Sequence, residues 1–405
     1  MTAMAQTGSD RRTGGHGFGT APVFLASIST ILGAILFLRF GYAVAHTGFI
    51  GTLGIVALGH AVTIPTALAI AEIATNRRVE GGGEYFIISR SFGQSIGGAI
   101  GIALYLSQAI SVAFYLIAFA EAFRPLSPLI ESWIGVGFDP RMISLPAIGL
   151  LLGLMLTRGA SLGVAALWVV VCVLAVSLAA FLLGQAIPGA AVESPILFSQ
   201  MSVKDPFMVV FAIVFPAFTG MTAGVGLSGD LAEPRKSIPL GIMAATVVGM
   251  LMYVLIAWKL ATSAPTAMLA DTERLVMSDI ALWGPIIPIG LAAACVSSAI
   301  GSILVAPRTL QALARDRITP TEQGTRFLAA GVGELGEPKN ATIVTAILAF
   351  FVAVLGDVDF VARSLTMCVM VTYGSLCAIS FLEHFAARPS YRPSFRSRWY
   401  ISLAG

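Results

Sequence analysis

The chain has 405 residues, of which 57% are hydrophobic and 11% charged, with a net charge of +3 and a mean hydropathy of +0.89. Soluble domains carry roughly 25% charged residues, so this composition places the chain in a lipid bilayer. The small net charge and the absence of a basic block in the sequence argue against a nucleic acid partner.

The first twenty residues, MTAMAQTGSDRRTGGHGFGT, are polar and glycine-rich. The apolar run after them is too long for a signal-peptide core and has no convincing cleavage site, so it reads as a retained span. A helix crosses a bilayer with about 20 mostly apolar residues. Ten such runs occur, at 22–46, 50–73, 96–123, 142–158, 162–188, 206–226, 238–263, 284–313, 341–356 and 358–385. With the N-terminus inside, the inner loops hold Arg77, Arg78, Arg90, Arg158, Arg235, Lys236, Arg315, Arg317, Arg326, Lys339, Arg388, Arg392, Arg396 and Arg398. The outer loops hold only Arg124, Arg141, Lys204 and Arg274. The positive-inside bias therefore predicts a multi-pass protein of the plasma or inner cell membrane with a cytoplasmic N-terminus.

Ten spans divide into five plus five, and an odd number per half inserts the second half upside down, as in inverted-repeat transporters. The predicted class is an all-α integral membrane protein with discontinuous spans one and six. Its parts are a cytoplasmic tail (1–21), a first repeat (22–188), an extracytoplasmic loop (189–205), a second repeat (206–385), and a cytoplasmic loop leading into another apolar run (386–405). That last run, RSRWYISLAG, predicts a longer natural protein with further spans. The breaks are visible in STILGAILFLR (29–39), which carries Gly33, and FPAFTGMTAG (215–224), which carries Pro216, Gly220 and Gly224.

A broken span frees amides that attract anions and carbonyls that attract cations. Glycines also let helices pack closely, but Pro216, Thr219 and the matching break in the other half favour ion binding. Span eight contains AAACVSSAIGSILVAP (292–307), with Ser297 beside Ser298. A lone membrane serine usually bonds back to its own helix, whereas adjacent hydroxyls suit a hard cation. Tyr115 and Tyr373 are mid-span, away from the interfaces where aromatics concentrate, and offer hydroxyls either to an ion or to a nearby carbonyl. Two charges stand out, Arg39 in span one and Glu121 at the outer end of span three. Intramembrane charges pair, so an Arg39–Glu121 outer gate is predicted, with simple snorkelling as the alternative. Asp230 and Glu233 read as capping or loop residues. Cys172, Cys295, Cys368 and Cys377 fall in apolar runs and read as small packed hydrophobes, and the four histidines are isolated. Nothing predicts an enzyme, a cofactor or a resident metal.

Four blocks carry a family resemblance: IATNRRVEGGGEYFIISRSFGQSIGGAIG (73–101), FPAFTGMTAGVGLSGDLAEP (215–234), SSAIGSILVAPRTLQALARDRITP (297–320) and RPSYRPSFRSRWYISLAG (388–405). From about Gly17 to its end the chain resembles the cation-chloride cotransporters, a branch of the amino acid-polyamine-organocation superfamily. The resemblance implies twelve spans around a LeuT-like five-plus-five core and a cytoplasmic C-terminal domain, so two spans and that domain would lie beyond this chain. It implies a symporter of chloride with sodium and/or potassium, with no cofactor, in the lipid bilayer, and leaves a homodimer open. Potassium would be held by Tyr115, Pro216, Thr219 and the carbonyls of Thr30 and Ile31. Sodium would be held by Ser297, Ser298 and the carbonyls of Ser29, Leu32 and Ala294. One chloride site would use the amides of Gly33, Ala34 and Ile35, and the other Gly220, Met221, Thr222 and Tyr373. Arg39 and Glu121 match the family's outer gate. The serine pair favours sodium coupling, because potassium-chloride members differ there. The chain departs from the family at Thr30 and Leu32, where asparagine and tryptophan are usual, and at Met221-Thr222, which replace a more apolar pair. The rival readings are an amino acid permease of the same superfamily and a non-transporting scaffold. Proton-coupled permeases often carry a lysine in span five, and 162–188 has no charged residue.

Overall fold

A backbone crossing hydrocarbon must bond to itself, so apolar runs of membrane length become helices. The computed structural model describes residues 19–76, 84–158, 164–187, 195–225, 233–333, 336–386 and 391–405. The expected roles of the N-terminal tail, Arg77, Arg78, Asp230 and Arg388 lie outside the described residues.

The segment expected to be the first repeat contains α1 (Ala21–Ile31), α2 (Ala34–Asn76), α3 (Glu84–Glu121), a 3-10 turn (Arg124–Leu126), α4 (Ser127–Ile134), α5 (Arg141–Arg158) and α6 (Val164–Leu182). The second begins with α7 (Phe207–Val214), a 3-10 segment (Phe215–Phe218), α8 (Met221–Val225) and α9 (Pro234–Ser263). It continues through α10 (Thr266–Ala270), α11 (Val276–Ile280), α12 (Ile286–Arg315), α13 (Glu322–Ala329), α14 (Lys339–Leu355) and α15 (Val358–Ala386), and α16 (Trp399–Ala404) follows. Among the described residues the only β pairing is an isolated bridge between Val332 and Glu337.

Among the described residues six helices are long and apolar enough to cross a membrane, and four shorter apolar helices accompany them. Span one is α1 plus the first part of α2, interrupted at Leu32 and Gly33. Span six is α7, the 3-10 segment and α8, interrupted at Thr219 and Gly220. The breaks thus fall where the two glycine-bearing motifs predicted. The most extensive packing joins α3 to α12 and α2 to α9. These are the third and second spans of each half, the pairing expected when two halves interlock about a pseudo-two-fold axis. Large apolar side chains such as Leu150, Val169, Leu355 and Met367 stay outward-facing, as lipid contact allows.

The sequence reading gave the connections as plain loops and missed the short helices α4, α10, α11 and α13, which lack the length that marks a span. Two turns have a backbone that only glycine adopts readily. Gly93 (φ 78°) separates a short leading helix of α3 from its long part. Gly48 (φ 71°) breaks the helix between spans one and two with no intervening loop. A Cβ on Gly48 would lie 2.5 Å from Phe198 Cα. The segment around Phe198 is bonded onto the turn, since Phe49 N donates to Ile196 O, Ile50 N to Leu197 O and Ser199 Oγ to Ala45 O.

Candidate ion site

At the first break α1 ends on Ile31, Leu32 N donates to Ile28 O (2.9 Å), and α2 restarts at Ala34. The amides of Ala34 and Ile35 open a long helix, where the first turn has no carbonyl partners of its own. At the second, Thr219 is extended (ψ 171°) and its hydroxyl donates to Pro216 O at 2.7 Å. Gly220 follows with φ 122°. A Cβ there would meet the Thr30 side chain at 2.9 Å and Ile31 N at 3.2 Å. The two breaks therefore touch, and Gly220 permits it by having no side chain. Pro216, Ala217, Phe218, Thr219 and Met221 are all buried.

Ser29 and Thr30 both donate to Ala26 O at 3.1 Å, which leaves their carbonyls as the groups available to an ion. Ala294 and Ser298 are buried on α12, with Ser297 half-buried beside them. Among the described residues, Ser298 Oγ has no hydrogen-bond partner. It does not bond back to its helix as Ser107, Ser177 and Thr246 do. A buried hydroxyl without a partner is costly, so this one fits the ligand reading better than the packing reading. Tyr115, also buried, packs beside Cys295 and Ser298. Tyr373 is buried on α15, a helix that packs on the 3-10 segment. The structure thus brings together Thr30, Ile31 and Gly220, and separately Tyr115 and Ser298.

It does not bring Arg39 to Glu121. Arg39 Nε donates to Asp359 Oδ1 at 2.5 Å, and its Nη1 to Leu38 O at 3.1 Å. Glu121 is bonded by Arg124, one turn on, which also approaches Glu273 at 3.5 Å. Each predicted partner is already neutralised by a nearer charge. The charges therefore fall in two separate groups, Arg39 of α2 with Asp359 of α15, and Glu121 of α3 with Arg124, which reaches Glu273 in the loop before α11.

Three further residues escaped the sequence reading although the same rules would have flagged them. Tyr253 is a fully buried tyrosine in α9, as mid-span as Tyr115. Glu72 is a charge inside span two with no exposure at all. It accepts from Ser380 Oγ, Tyr391 Oη, Ser397 N and Ser397 Oγ at 2.6–3.1 Å. Burial, followed by the charge of Glu72, pushes the Tyr391 phenol well above its ordinary value. Lys259, in span seven, donates to Gly184 O at 2.6 Å.

Residues 22–403 match the family model described as amino acid permease. The chain belongs to the amino acid permease family. That membership carries the LeuT-like helical membrane fold and accords with the paired breaks. Within this family the chain is 29% identical to human solute carrier family 12 member 2 over 95% of its length. It is also 29% identical to mouse solute carrier family 12 member 1 over 95%, and 31% identical to mouse solute carrier family 12 member 8 over 92%. The chain spans 35%, 39% and 53% of those relatives' respective lengths. These relatives agree with the cation-chloride cotransporter resemblance carried by the four sequence blocks.

Proposed function

We propose that this amino acid permease family member is the transport core of a secondary active symporter coupling chloride to sodium and/or potassium. The observation that carries the reading is the contact of the two helix breaks at Gly220 and Thr30. Facing breaks supply carbonyls and amides at one buried place, so both ion signs can bind without a charged side chain. Binding them together keeps the loaded site near neutral in a low dielectric. Similarity to solute carrier family 12 members supports the same class.

In this reading potassium is bound by Tyr115, Pro216, Thr219 and the carbonyls of Thr30 and Ile31. Sodium is bound by Ser297, Ser298 and the carbonyls of Ser29, Leu32 and Ala294. Chloride is bound at Gly33-Ala34-Ile35 and at Gly220-Met221-Thr222 with Tyr373. The bundle carrying spans one and six rocks against the scaffold of spans three and eight, and the pairs Arg39–Asp359 and Arg124–Glu273 separate on the outer side as it opens. The repeats divide at 22–188 and 206–385, with the N-terminus cytoplasmic, and a homodimer is the assembly to test by light scattering.

The deciding experiment is rubidium uptake into proteoliposomes holding the purified chain, with sodium and chloride omitted in turn. Chloride-dependent uptake is expected. Uptake indifferent to chloride, or uptake of amino acids in its place, overturns the reading.

A further inference from the structure

The Tyr253 hydroxyl lies 2.5 Å from Ile31 O and 2.5 Å from Ala217 O. Ile31 ends α1 at the first break, and Ala217 belongs to the 3-10 segment at the second. One side chain from a third span is thus fastened to both discontinuities. A phenol has a single proton, so it can donate to only one of the two carbonyls at a time. The other carbonyl faces a hydroxyl oxygen, and Tyr253 has no exposure to solvent that could supply the missing proton. Three oxygens sharing one hydrogen leave surplus lone pairs at a buried point, which suits a cation and repels an anion.

The position of this hydroxyl is set by its ring. Tyr253 stacks on Phe40 of span one (5.0 Å, 20°) and meets Phe218 of span six edge-on (5.2 Å, 86°). His60 of span two packs on both Phe218 and Tyr253. Aromatic contacts from three spans therefore hold the phenol in place. Tyr115 of α3 lies near it.

We propose that Tyr253 is a further positioning residue of the cation site: its hydroxyl fixes the Ile31 and Ala217 carbonyls so that their remaining lone pairs converge on the transported alkali cation. Each carbonyl oxygen has two lone pairs, so one can meet the phenol while the other faces the ion. The proposal rests on the symporter reading. It adds span seven to the site and predicts that cation affinity and chloride affinity separate on mutation.

The test is Tyr253→Phe, which removes the hydroxyl and keeps the ring. The half-saturation for rubidium should rise about tenfold, the effect of losing roughly one buried hydrogen bond. Chloride half-saturation and maximal rate should stay within about twofold, a split that general loosening would not give. An unchanged or lowered rubidium half-saturation overturns the proposal, and so does an equal loss for both ions. If Tyr253→Phe does not fold, Gly249→Ala serves, because its Cβ would come 2.5 Å from Ile31 Cγ2 and push Ile31 away from the phenol. It should raise rubidium half-saturation in the same way, and wild-type values for both ions overturn the proposal. The rubidium-induced rise in unfolding temperature of the detergent-purified chain reads cation affinity without transport. It therefore tests Tyr253 even if wild-type uptake proves indifferent to chloride and the symporter reading fails.

Discussion

Gly220→Ala is the most direct challenge to the idea that the two breaks form one site. A Cβ on residue 220 would sit 2.9 Å from Thr30 Cβ and Cγ2, where ordinary contact begins at 3.4 Å. One of the breaks must therefore retreat by at least 0.5 Å. Residue 220 also has φ 122°, a conformation that costs a non-glycine residue about 1–3 kcal/mol. Overpacking adds about 1–3 kcal/mol. The protein escapes most of this by letting the break at Thr219 open, which moves the Thr219 and Pro216 oxygens and the amides after them away from Thr30 and Ile31. Displacements approaching 1 Å in a positioned site cost on the order of a hundredfold in rate. Rubidium uptake in proteoliposomes should fall at least tenfold, while size-exclusion chromatography in detergent still gives a folded protein. Wild-type half-saturation for both rubidium and chloride in Gly220→Ala would refute the argument that contact between the breaks builds the site.

Three other substitutions probe separate parts of the molecule. The Arg39 side chain is 6% exposed and that of Asp359 29%, between the buried and surface regimes, so losing either charge should cost about 1–3 kcal/mol. Arg39→Gln and Asp359→Asn should each impair uptake, and the exchange Arg39→Asp with Asp359→Arg should recover part of it; a neutral Asp359→Asn beside a damaging Glu121→Gln would restore the Arg39–Glu121 gate. Ser298→Ala should abolish sodium dependence while changing the unfolding temperature little, because the hydroxyl removed makes no bond to its own helix and has only the Tyr115 phenol beside it. Sodium dependence surviving that change would take Ser298 out of the site. Glu72→Gln places an amide donor against the donors Ser397 N and Oγ, and hydrogen bonds to a charged group contribute about 1.5–3 kcal/mol each. Tryptic cleavage after Arg396 or Arg398 should accelerate at least tenfold, and an unaltered cleavage rate would show that Glu72 does not hold this segment.

The breaks were legible in the sequence because a membrane helix has few reasons to carry Gly33 or the pair Pro216 and Gly220 in mid-span. The serine pair was legible as a candidate, but only burial distinguishes Ser298, without a partner, from a serine bonded to its own helix. The pairing of Arg39 with Asp359 was not legible. Arg39 and Asp359 are 320 residues apart, and their meeting depends on how span ten packs against span one, which spacing does not encode. Tyr253 and Glu72 belong to an intermediate class. Their residue types and mid-span positions were visible, but what each holds depends on elements far away in the chain, and for Glu72 on a segment after span ten.

The turn at Gly48 has a mechanical consequence. Because the two helices join there through a single non-helical residue, the second part of span one and the whole of span two are coupled directly rather than through a slack loop. A rocking motion that swings one arm must carry the other, and the pivot is clamped by the backbone bonds of Phe49 and Ile50 to residues 196 and 197. Those residues lead into α7, so the segment that enters the second broken span also clamps the turn that follows the first.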